Sequence, residues 1–235
     1  MTAAQVYPRR RIFAPPSVYA PNTDSQLLVR AMGRASGAEG RRVVDLCTGS
    51  GVIAIAAARM GAARVSAWDI CPKAVRCARD NAAAFDVKIE AFVGSVECAL
   101  ADAPYDIVLA NPPYVPTPDD AAGEPVCDAV PPLACHAGSD GRLVLDQLCT
   151  LAPKLVADGG TMMLVQSEFA NVGATMHSLR AAGMSADVVA RQRIPFGPVL
   201  RARAAWLQAT GQLRHGRRDE VLVVIRADKR RRLDV

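Results

Sequence analysis

Between Arg42 and Arg226, short apolar runs alternate with segments of helical periodicity, and this alternation limits the fold more than any other feature of the chain. The candidate strands are Arg42 to Leu46, Arg64 to Trp68, Val87 to Val93, Asp106 to Ala110, Thr161 to Val165, Ala186 to Arg193 and Val221 to Arg226. Helical segments lie between them at Val52 to Met60, Pro72 to Ala84, Gly141 to Ala157, Val172 to Ala182 and Val199 to Gln208. The strands read as unbroken apolar runs, as expected of a parallel sheet covered on both faces. The expected fold is therefore α/β, a doubly wound, mostly parallel seven-stranded sheet of Rossmann-like type. The last two strands lack a full helical crossover, so the last strand is expected to be antiparallel.

Residues 1–23 are Pro-rich and are read as an arm; residues 24–235 are read as one domain that opens with a helix from Ser25 to Met32, with Asp24 as its N-cap. Gly159–Gly160 is read as the stop of the Gly141 helix. Residues 111–138 form a long Pro-rich loop, and such loops inside compact domains are commonly functional.

Seven cysteines, an odd number without a tight CxxC pair, argue against a disulfide framework and a structural zinc site. His136, His177 and His215 are too scattered to form a metal set, so no metal is expected. No apolar run approaches a membrane span and no signal-peptide core is seen, so the expected location is cytoplasmic. The net charge of +5 gathers at Arg9–Arg11, Arg214–Arg218 and Lys229–Arg232. These are read as solvated ends and a loop, with attraction to nucleic acid as the second reading.

Three motifs carry chemistry. In Val43-Val44-Asp45-Leu46-Cys47-Thr48-Gly49-Ser50-Gly51, glycines follow a strand and precede a helix, at the strand end where open sheets bind ligands. Gly49 and Gly51 let the backbone approach a ligand, and Asp45 adds a carboxylate beside it. In Trp68-Asp69-Ile70, the acid ending the second strand can accept from both hydroxyls of a ribose, or cap the helix that starts at Pro72. In Asn111-Pro112-Pro113-Tyr114, a rigid turn offers two oxygen acceptors, the Asn111 amide and the Pro112 carbonyl, to one planar NH2 group. Tyr114 can stack on that group.

Together these motifs resemble the class I S-adenosylmethionine-dependent methyltransferases of the HemK type, which include protein and release-factor glutamine-N5 methyltransferases. Val18-Tyr19-Ala20-Pro21-Asn22-Thr23-Asp24-Ser25-Gln26-Leu27-Leu28 resembles the start of the shorter branch, which lacks an N-terminal helical domain, and Ala137-Gly138-Ser139-Asp140-Gly141-Arg142 also resembles the family. The resemblance implies S-adenosyl-L-methionine as cofactor, held by Asp45, Cys47, Gly49, Gly51, Asp69, Ile70, Ser95, Val96 and Asn111, with Asp24 or Ser25 closing over it. It implies that Asn111, Pro112, Pro113 and Tyr114 bind the acceptor nitrogen. The implied substrate is a protein with an exposed glutamine, such as a release factor, and a small activating partner subunit goes with the shorter branch. Two positions depart from the pattern: Cys47 stands where the first glycine of the turn is usual, and Ser95 where an acid meets the adenine amino group. The rival readings are an adenine-N6 methyltransferase acting on DNA or RNA, and a non-catalytic cofactor-binding protein.

Overall fold

The computed structural model describes residues 11–35, 37–118 and 136–231. Seven strands form one sheet: β1 (Arg42–Leu46), β2 (Arg64–Asp69), β3 (Glu90–Val93), β4 (Tyr105–Ala110), β5 (Val156–Ser167), β6 (Ser185–Pro195) and β7 (Asp219–Asp228). Their order is β3-β2-β1-β4-β5-β7-β6. β1 pairs in parallel with both β2 and β4, so the winding reverses at β1. The carboxyl end of β1 is thus the switch point where such sheets open a crevice. β7 runs antiparallel between β5 and β6, as the missing crossover predicts.

The helices are α1 (Thr23–Arg34), α2 (Val52–Arg59), α3 (Pro72–Ala84), α4 (Leu143–Leu155), α5 (Val172–Ala181) and α6 (Pro198–Ala209). Strand residues alternate between two cores. Val43, Ile107 and Leu109 pack toward α1 and α2, while Val44, Val108 and Ala110 pack toward α4 and α5. Both faces are buried, which is why the central strands show no polar alternation.

Four expectations shift. Asn22, not Asp24, caps α1: its side chain accepts from Thr23 N at 2.8 Å. Asp24 is a buried member of the first turn. Gly159 and Gly160 do not end α4; the chain turns directly from Leu155 into β5. The pair sits where the β4–β5 register shifts, and a Cβ on Gly160 would lie 2.9 Å from the Asp106 carbonyl, as expected of a bulge. Gly141 precedes α4 with φ +76. β3 starts at Glu90 because Val87 N bonds back to Ala82 O at the end of α3. Of the long loop, residues 119–135 lie outside the described residues, as do Cys127, Cys135, Arg9, Arg10 and Arg232. Among the described residues, no helix is long and apolar enough to cross a membrane.

Candidate active site

A cavity of ≈ 700 Å³ opens over the carboxyl ends of the central strands, within the range of about 300–1,000 Å³ usual for small-molecule sites. Its wall joins the segment before α1, the glycine turn, the ends of β2 and β3, the loop after β4, the β6–α6 link and β7.

The glycine turn forms the floor. Cys47, Gly49 and Gly51 all have positive φ, +60, +53 and +82. Asp45 Oδ2 accepts from Thr48 Oγ1 at 2.6 Å and from Ala54 N at 3.1 Å, tying the turn to α2. Asp45 is fully buried, and burial pushes its carboxyl up to about 7 against the pull of those two bonds. It does not reach the cavity wall, and neither does Gly51. Both support the turn from below. A Cβ on Gly51 would come 2.9 Å from Ala78 Cβ, so this glycine serves the packing of α3.

Cys47, Gly49, Asp69, Ile70, Ser95 and Val96 do line the cavity. Asp69 Oδ2 accepts from Gly49 N and Oδ1 from Cys71 N, each at 2.9 Å. These bonds aim the carboxylate, and each oxygen keeps a free lone pair for a further donor. The N-cap of α3 is Cys71, not Asp69. Ile70 is 58% exposed, an apolar plate beside that carboxylate. Ser95 Oγ lies 3.7 Å from Cys98 Sγ. Burial pushes the Cys47 thiol upward, with Asp69 and Asp45 adding to the effect, so it is a neutral, inert thiol.

The opposite wall carries Asn111, Pro112, Pro113 and Tyr114. Asn111 Nδ2 donates to Ser25 Oγ at 3.3 Å, which leaves Oδ1 as the amide's free acceptor. The Tyr114 and Tyr19 hydroxyls each donate to Asp24 Oδ2 at 3.0 Å. Ser25 N and Ser25 Oγ donate to Asp24 Oδ1 at 2.6 and 3.2 Å. Burial first, and Asp24 second, push both phenols well above their usual range. Both stay neutral, and the start of α1 is locked to the loop after β4.

Three further holds were not read from the sequence. Arg203, buried on α6, donates to the carbonyls of Val115 and Pro116 at 2.8 and 3.1 Å. Thr117 N donates to Gly138 O at 2.8 Å. Gly141 packs so closely that a Cβ there would lie 2.5 Å from the Tyr114 carbonyl. His136, discounted as a ligand, lines the cavity, as does Glu220. Glu168 stays out of the wall: its Oε1 accepts from Arg217 and from Val221 N. The Arg193–Pro198 stretch faces the cavity through Ile194, Gly197 and Pro198. Among the described residues, no cluster could hold a metal ion.

Residues 10–127 match the family model of the methyltransferase small domain. A Methanocaldococcus jannaschii protein, provisionally named protein N5-glutamine methyltransferase, is 32% identical over 77% of this chain and 88% of its own length. The release factor glutamine methyltransferase of Deinococcus radiodurans is 34% identical over 69% of this chain. The chain spans 58% of that enzyme. Among solved structures, the Encephalitozoon cuniculi Mtq2–Trm112 complex, described as responsible for methylation of the eRF1 termination factor, superposes with a TM-score of 0.64. It covers 91% of this chain and 99% of the matched one at 22% identity, a likeness of fold.

Proposed function

Because the chain belongs to the methyltransferase small domain family, we propose that it transfers a methyl group from S-adenosylmethionine to the side-chain nitrogen of a glutamine in a protein, a peptide-chain release factor being the first substrate to test. The names carried by its relatives support that acceptor. The observation that carries the reading is the acceptor corner: Asn111, its amide NH2 held by Ser25 and its Oδ1 left as the free acceptor, lines the same cavity as Pro112 and Asp69.

The residues present fit the cofactor. Asp69 retains acceptor capacity for a diol, Ile70 offers an exposed apolar face for a base, and the space that a Gly49 side chain would enter is open, with only Tyr19 O near, at 3.9 Å. When bound, S-adenosylmethionine supplies an electrophilic methyl group. Asn111 Oδ1 and the Pro112 carbonyl take the two N–H bonds of the carboxamide and so turn the nitrogen's lone pair toward that methyl. As nitrogen gains positive charge, the same two oxygens bind it more strongly than the neutral amide. Holding both reactants in one cavity removes much of the entropic barrier. Tyr114, fixed by Asp24, closes one side of the amide plane. Ser95 would offer the adenine a hydroxyl without charge assistance, a weaker contact than an acid would make.

Substrate and location follow from the same reading: a protein bearing an exposed glutamine, met in the cytoplasm. The Mtq2 relative is described in complex with Trm112, and a small activating subunit of that kind is the partner to co-express. The experiment is mass spectrometry of a Gly-Gly-Gln-bearing release factor after incubation with labelled cofactor, beside DNA and RNA. A gain of one methyl on the glutamine supports the reading; label on adenine alone replaces it.

A further inference from the structure

Resting on the glutamine reading above, we propose that Glu220 is the general base of the reaction, taking the proton that the amide nitrogen sheds as it is methylated. In this step one of the two N–H groups leaves its acceptor on the Asn111–Pro112 corner for Glu220; that N–H bond breaks, its electron pair stays on nitrogen to restore a neutral N-methyl amide, and an O–H bond forms on the Glu220 carboxylate. Solvent later removes that proton. No co-reactant is needed.

Glu220 stands on β7, is 4% exposed and lines the cavity. It shares that cavity with Tyr114 and Tyr19, the two phenols tied to Asp24. Ser167 and the Gly197 backbone hydrogen-bond to the carboxyl, yet Oε2 is buried without a partner among the described residues. A buried carboxylate oxygen left unpaired is costly and calls for a role. Among the described residues, no cation relieves it. Arg217 is committed to Glu168 and Asp219, and Arg193 to Asp219. The groups that face Glu220 are Asp24 from α1, Glu168 from the turn after β5, Tyr19 from the arm and Tyr114 from the acceptor loop. They are acids and neutral phenols, so a proton or a cationic nitrogen is the partner this corner lacks.

Desolvation, with Asp24 and Glu168 adding repulsion, pushes the Glu220 carboxyl up to about 7. That value suits a general base working near neutrality. The carboxylate is the working form, so activity falls as pH drops below about 7 and levels above it.

The test is kcat against pH, between about pH 5 and 9, for the full chain and its Glu220→Gln variant on glutamine protein, DNA and RNA in parallel. The wild type should show a step near pH 7. Glu220→Gln should lose about 10²-fold in kcat and the step with it, with substrate KM and cofactor affinity nearly unchanged and an unaltered melting curve. Glu220→Asp should recover part of the rate. Asp45→Asn should keep the step whatever its rate, since Asp45 lies outside the wall. Normal kcat in Glu220→Gln, a loss expressed only in KM, or a step that survives in it or vanishes in Asp45→Asn overturns the proposal. Transfer to DNA or RNA alone sinks the glutamine reading, and the Glu220→Gln profile on that acceptor still decides the base. No transfer to any acceptor overturns both.

Discussion

The two halves of the cavity are built by different means. The cofactor half is backbone: a turn with three positive-φ residues after β1, and an Asp69 aimed by two main-chain N–H groups. Its parts end adjacent parallel strands, so strand register alone brings them together. The acceptor half is assembled by side chains from distant segments. Asp24 holds Tyr114, Ser25 holds Asn111, and Arg203 holds the carbonyls that follow. The first half would form around almost any sequence that keeps its glycines and its acid. The second depends on particular pairs, and on the proposed function that is where specificity toward the acceptor would reside.

The largest break in this comparison is Asn111→Ala. It removes an acceptor that binds charge only as the reaction proceeds, so kcat should fall about 10²–10³-fold. Cofactor affinity, measured by calorimetry, should stay within about twofold, because the other half is untouched. A parallel loss of both would mean that the halves are not separable.

Gly141→Ala comes next and strikes the acceptor half through its support. Its new Cβ would meet the Tyr114 carbonyl, 2.5 Å away, and φ is +76. The left-handed conformation alone costs about 1–2 kcal/mol, and displaced backbone adds more. Thermal unfolding should show a loss above about 2 kcal/mol, with reduced kcat in the surviving folded fraction. An unchanged melting temperature would refute this close approach.

Asp69→Ala addresses the other half. Hydrogen bonds to a charged group are worth about 1.5–3 kcal/mol, so cofactor affinity should weaken about 10–100-fold. Turnover should return at saturating cofactor if the acceptor corner stands independently. Failure to recover would show that Asp69 also organises the acceptor.

Legibility in the sequence follows the same division. The strand–turn–helix units were visible because buried parallel strands leave continuous apolar runs, and both β1 and α3 sit where the residues put them. Asn111 was visible because its neighbours are prolines. Glu220 was not: an acid opening an apolar strand reads as a solvated end, and only the pairing of β7 with β6, opposite Ile194, places it in a buried position. Arg203 was hidden among several arginines of one composition. For Asp45 the motif shows that an acid is needed but not whether it supports the turn or meets a ligand; its bonds to Thr48 and Ala54 are the part the sequence leaves out. Gly159–Gly160 was read as a helix stop, since a bulge and a stop ask for the same residue type.

The smallest effect sharpens the comparison from within the backbone half. Cys47 holds φ +60, a conformation costing a non-glycine residue about 1–2 kcal/mol. Glycine would remove that strain but adds about 0.5–1 kcal/mol of unfolded-chain entropy. Cys47→Gly should therefore stabilise by about 0.5 kcal/mol, raising the melting temperature by about 1–2 °C. Removing the side chain also clears the cavity wall that Cys47 shares with Gly49, so cofactor affinity should rise a few-fold, with kcat unchanged at saturation. Cys47→Val separates strain from space. Its branched Cβ suits this conformation least, so it should lose more than about 1 kcal/mol of stability together with affinity. If valine proved no worse than glycine for stability, backbone strain at this position would not govern the turn, and the half assigned to the backbone would lose its physical basis.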